Sequence, residues 1–111
     1  MQRRVVRSEA AVEDLLAIAD DLLVTMGLDT TLATDDRLDV AIESLDELSH
    51  RGRVVPELRA RGITTYRELI VLPYRTVYRI EQHEVWIVAV LDHRRDLDRL
   101  LYQRARRDRG Q

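Results

Sequence analysis

The 111-residue chain contains no cysteine and no lysine. The lack of cysteine excludes disulfides and thiolate chemistry and suits a reducing compartment. No apolar run approaches the roughly 20 residues that cross a bilayer. The arginine-rich start MQRRVVRSEA leads into no apolar stretch of the kind a secretory signal carries. A cytoplasmic protein without a membrane partner is expected. Every one of the 18 basic residues is arginine, whose planar fork matches carboxylates and phosphates where lysine offers a point charge.

What is present suits one domain over residues 1–111: 45% of the residues are hydrophobic, enough to bury a core without staples. The net charge of −2 hides a division, because residues 1–50 carry 4 arginines against 12 carboxylates and residues 51–111 carry 14 against 8. A basic half implies an acidic partner, protein or nucleic acid.

Along the chain, Arg4–Arg7 reads as a short strand and Ser8 as the cap of a helix from Glu9 to Met26. Its apolar positions Val12, Leu15, Leu16, Ala19, Leu22, Leu23 and Met26 keep helical spacing, and Gly27 ends it. A link GLDTTLA leads to a second helix, about Asp35 to Ser49, with a stripe at Leu38, Ala41, Ile42, Leu45 and Leu48. Short link and two stripes predict an antiparallel helical hairpin. The carboxylates Asp20, Asp21, Asp35, Asp36, Asp39, Glu43, Asp46 and Glu47 fall mainly off these stripes as a solvated face. No His–carboxylate set has ligand spacing, so neither metal nor cofactor is expected.

After Gly52 the period drops toward two. Pro56 and Gly62 bound a turn-like segment, and strands are predicted at 66–71, 74–81 and 84–91, separated by Leu72-Pro73 and Gln82-His83. Such short connections imply antiparallel neighbours. The last strand is apolar on both sides, with Val85, Ile87, Ala89 and Leu91 opposite Trp86, Val88 and Val90. A basic helix follows from about Arg95 to Arg107. In the strand 74–81, Tyr74, Thr76, Tyr78 and Ile80 share one face and Arg75, Val77 and Arg79 the other. The first face packs under the hairpin, and the second is expected to be an outward arginine face. Arg67 joins it if the register allows, with Arg94 and Arg95 at its edge. His93 reads as a polar strand-end residue and Trp86 as core.

The succession GR-x-VPE (Gly52–Glu57), REL (Arg67–Leu69), YR-x-x-YR (Tyr74–Arg79) and a valine-rich strand ending in HRRD (His93–Asp96) resembles the RelE/ParE superfamily of toxin–antitoxin and plasmid-stabilisation toxins, closest to its ParE branch. The resemblance implies an α+β fold, with an N-terminal helical hairpin on an antiparallel sheet, a C-terminal helix and the order β-α-α-β-β-β-α. ParE-like members inhibit DNA gyrase, with no catalytic residues of their own expected. An adjacent antitoxin inactivates them, its C-terminal segment wrapping the toxin. Arg67, Arg75, Arg79, His93, Arg94 and Arg95 are then the expected contacts to target or antitoxin. RelE-like members are ribosome-dependent, metal-free mRNA endoribonucleases, and direct nucleic-acid binding is expected only in that case. That alternative would use Arg67, Arg75, Arg94 and Tyr102. Tyr102 falls seven or eight residues beyond the second arginine where the branch has about six, and Glu68 would repel phosphate. A degenerate, non-toxic interaction module is the third reading.

Overall fold

Ser8 ends the first strand and begins the first helix, its hydroxyl accepting a hydrogen bond from the Ala11 amide at 3.1 Å and so satisfying one donor that a helix N-terminus leaves open. The computed structural model describes residues 2–109. β1 (Arg4–Arg7) leads into α1 (Glu9–Met26), α2 (Leu28–Glu43) and a 3-10 turn (Ser44–Asp46). Then come β2 (Arg53–Val54), the one-turn α3 (Pro56–Arg59), β3 (Tyr66–Val71), β4 (Tyr74–Ile80), β5 (Glu84–Asp92) and α4 (Asp98–Arg109). β2 and α3 fill the segment expected to be only a turn, and α4 begins three residues later than the periodicity suggested.

Gly27 alone joins the two long helices. Its φ of 88° lies where a Cβ is costly, which lets the chain reverse in one residue. The expected link GLDTTLA is therefore mostly helix. Thr31 donates its hydroxyl to the Gly27 carbonyl at 2.8 Å, and Thr31 and Thr34 are buried. The second helix ends at Glu43 rather than near Ser49.

The sheet order is β1-β5-β4-β3-β2. β2 to β5 pair antiparallel, but β1 lies parallel to β5, Arg4 opposite Glu84. The sheet is therefore mixed where an antiparallel one was expected, and the long excursion between β1 and β5 is what permits parallel pairing.

Both faces of the sheet are covered. On one, Ala11, Leu38, Ile42 and Leu45 from the hairpin segment pack on Leu69, Tyr74, Tyr78, Val85 and Ile87. On the other, Leu58 of α3 and Leu97, Leu101 and Ala105 at α4 pack on Tyr66, Val77, Val88 and Leu91. Burying each such large apolar side chain stabilises by about 1.5–3 kcal/mol. The strict alternation expected in the last strand does not hold. Tyr78 pairs with Ile87 while Val77 pairs with Ala89, so Val88 is an extra residue, a bulge that moves Ala89 and Leu91 to the face opposite Ile87. Trp86 is half-buried rather than core.

The apolar positions of α1 also divide. Ala11, Leu15 and Ile18 face the sheet side, whereas Val12, Leu16, Leu23 and Met26 are 40%, 61%, 50% and 63% exposed.

Candidate functional site

The alternation of β4 sends Arg75, Val77 and Arg79 to the side where α3 and α4 lie, and this side is closed rather than outward. Arg75 is only 7% exposed. Its Nη1 and Nη2 donate to the two carboxylate oxygens of Glu57 at 2.6 and 2.7 Å, and its Nε to Glu68 Oε1 at 2.6 Å. Glu68 is fully buried and accepts a further bond from Arg53 Nε at 2.8 Å. The Arg75 bond holds the Glu57 carboxyl below the usual carboxylate range. Glu57 comes from α3, so one guanidinium ties α3 to the sheet. Glu68 is thus a counter-ion and not a residue lining a substrate cradle.

Arg79 is tied as well. Its Nε donates to Asp108 Oδ2 at 2.7 Å, its Nη1 lies 2.7 Å from Glu81, and its guanidinium sits 5.2 Å from the Trp86 ring centroid. The buried Tyr66 hydroxyl donates to the same Asp108 oxygen at 2.6 Å, and burial together with that carboxylate pushes its pKa upward. The C-terminal turn of α4 is thereby anchored on β3 and β4. At the opposite edge, Arg104 of α4 grips Asp14 of α1, which also accepts the Val90 amide beside the bulge at 2.9 Å.

The remaining expected contacts disperse. Arg67 pairs across the strands with Tyr78, which puts it on the hairpin side of the sheet, opposite Arg75 and Arg79, where it donates to the Gly52 carbonyl at 2.7 Å. His93, Arg94 and Arg95 occupy the exposed turn after β5. Arg94 folds back on Asp92 and holds that carboxyl at a pKa of about 2. Tyr102, half-buried on α4, carries the Arg61 guanidinium 4.4 Å and the Arg106 guanidinium 5.9 Å from its ring centroid. Arg67, Arg75, Arg94 and Tyr102, the set a ribonuclease would need, are not brought together.

Most of the exposed large apolar side chains lie on the hairpin. Val12, Leu16, Ala19, Leu23 and Met26 follow one another at steps of four and three, a single face of α1, and Leu28 and Leu32 continue it on α2, each 58% exposed. Among the described residues nothing covers Val12, Leu16, Leu23 or Met26, a feature that marks interaction surfaces.

Residues 5–97 match the family described as the ParE toxin of the type II toxin-antitoxin system parDE. The chain belongs to the ParE toxin family. Among solved structures, a chain described as the chromosomal ParDE TA system from P. aeruginosa shares the fold, with a TM-score of 0.69 at 19% identity over 82% of this chain and 96% of that one. No curated protein matches significantly. The matched segment stops before α4, so the family likeness accounts for the hairpin and the sheet but not for the arginines of the last helix. The sequence signals that mark those arginines and the outer stripe of α1 are RARRDR at 104–109 and the second helical stripe within Val12–Met26.

Proposed function

We propose that this ParE-family protein acts in the cytoplasm as a growth-arresting toxin that inhibits DNA gyrase and is neutralised by an antitoxin encoded beside it. The observation that carries this reading is the family match across 93 of the residues, positions 5–97. The dispersal of Arg67, Arg75, Arg94 and Tyr102 supports it over the ribonuclease. Metal-free RNA cleavage needs an activating base, a phosphate clamp and a proton donor at one point, and here the candidate groups lie on two faces, with Arg75 and Arg94 already matched by carboxylates.

The antitoxin contact is better assigned to the outer stripe of α1 than to the arginines of β4. An amphipathic segment laid along Val12, Leu16, Leu23 and Met26 buries apolar surface that water now covers. Arg75, by contrast, is buried and already directs three of its five N–H donors at Glu57 and Glu68. Expression of the chain alone should arrest growth, and co-expression of the neighbour's product should restore it. In a supercoiling assay the purified protein should block gyrase or trap cleaved DNA. Normal supercoiling combined with cleavage of ribosome-bound mRNA would sink the proposal in favour of the ribonuclease, and unaffected growth would reduce the chain to an interaction module.

A further inference from the structure

Eight arginines form ion pairs with carboxylates. Among the described residues, no carboxylate lies within ion-pair distance of Arg59, Arg95, Arg99, Arg106, Arg107 or Arg109. All six are exposed, and all lie on α3, on the turn before α4 or on α4 itself. Six of the ten arginines that lack a carboxylate partner are thus gathered on the side of the sheet away from the acidic hairpin, whereas the other four, Arg3, Arg37, Arg51 and Arg67, lie elsewhere and donate to backbone carbonyls or a serine hydroxyl.

Within this side, Arg99, Tyr102, Arg106 and Arg109 recur at steps of three, four and three, one face of α4. Tyr102, Arg106 and Arg109 of this row border two adjoining cavities of about 550 and 430 Å³, which share Ile63 and Arg109 and are lined opposite the helix by the loop carrying Arg61, Thr64 and Thr65. Helix electrostatics account for Arg106, Arg107 and Arg109 in the last turn but not for Arg99, which stands in the first turn where positive charge is unfavourable. The Arg61 guanidinium lies against the Tyr102 ring and reaches Asp98 at 3.2 Å. The ring thus braces an arginine fork instead of offering its face to a base.

We propose that this row binds the phosphate backbone of duplex DNA without reading its sequence. The choice of duplex DNA over other polyanions rests on the gyrase reading, since gyrase acts on duplex DNA. The geometry fits a backbone. Ten residues of helix advance about 15 Å, and the phosphates of one strand advance about 3.4 Å each, so the row spans roughly four of them. Arginine forks and threonine hydroxyls are phosphate donors. The hairpin carboxylate that reaches α4, Asp14, does not oppose such binding, because Arg104 already neutralises it.

Fluorescence anisotropy with a labelled 20-base-pair duplex and the full chain, without gyrase, tests this. Three arginine–phosphate contacts predict a slope of log affinity against log salt of about −2.7, a loss of about 40-fold between 50 and 200 mM salt. The double variant Arg106→Gln/Arg109→Gln, its fold checked by circular dichroism, should bind at least about tenfold more weakly at low salt, with the slope smaller by about two. Arg37→Gln, which removes one positive charge from the hairpin side, should bind like the parent. No binding, an unchanged double variant, tighter binding of single-stranded RNA, or equal displacement by polyglutamate would each overturn the proposal, the last assigning the row to an acidic protein. Supercoiling inhibition is read separately. Inhibition without DNA binding rejects this inference alone, and DNA binding without inhibition rejects the gyrase reading alone.

Discussion

Replacing Arg75 by methionine separates a structural guanidinium from a target contact. In the folded protein Arg75 neutralises two carboxylates, one of them the fully buried Glu68. The methionine fills similar space but leaves Glu68 with Arg53 alone, whose side chain is 62% exposed. Removing one partner of a buried pair costs about 3–5 kcal/mol, because the other charge stays in a place that water cannot reach. A domain of this size has about 5–15 kcal/mol in total. With about 4 °C per kcal/mol for a chain near 100 residues, the thermal midpoint should fall by about 12–20 °C. Thermal unfolding followed by circular dichroism at pH 7 reads this directly. The companion variant Arg75→Met/Glu68→Leu removes both charges and should recover most of the loss, since an apolar replacement of a buried pair is often neutral. A single variant melting within about 3 °C of the parent would refute the reasoning, and if it also failed to inhibit gyrase, Arg75 would be a target contact after all.

Other consequences can be checked as simply. Gly52→Ala would put a Cβ 2.5 Å from both the Glu68 carbonyl oxygen and the Tyr78 hydroxyl, so urea unfolding should show a loss of about 1–3 kcal/mol. Leu16→Ala/Leu23→Ala removes side chains that are 61% and 50% exposed. Burying those remaining halves is worth about 2 kcal/mol for the pair, so calorimetry should show antitoxin affinity weakened by about 30-fold with the midpoint of the free toxin unchanged. Burial raises the pKa values of Tyr66, Tyr74 and Tyr78 above the ordinary 10.0. A raised folded-state pKa means that the folded form holds its proton more tightly, so this contribution is complete below pH 10 and is lost as pH rises further. Denaturation midpoints should therefore fall steeply above about pH 10, and tyrosinate absorbance should appear together with unfolding.

The strands were legible because each announced itself by local means. Tyr66–Val71 and Arg4–Arg7 occupy the expected residues, and β4 and β5 differ by one residue each, since valine, isoleucine and tyrosine runs stop at evident turns. What covers a face is not a local property. The alternation in β4 correctly grouped Arg75 with Arg79, but nothing nearby said that Glu57 and Asp108, 18 residues before the one and 29 after the other, would meet them. The bulge at Val88 is equally invisible in a run where every side chain is apolar. In α1 the difficulty is of another kind. Ala11, Leu15 and Ile18 form one apolar stripe and Val12, Leu16, Leu23 and Met26 form another, and a helix apolar on two sides does not say which side meets its own sheet and which a partner. The threonines of GLDTTLA suggested a link because threonine is a modest helix former, whereas Thr31 satisfies its hydroxyl within the helix.

The parallel pairing of β1 with β5 bears on synthesis. The first strand to leave the ribosome has one neighbour in the sheet, and that neighbour is the last strand to be made. Val5 waits for Val85, a separation that makes closure slow as well as late. A product that stops before Glu84 has nowhere to seat β1, so translation interrupted there leaves the toxin fold unfinished.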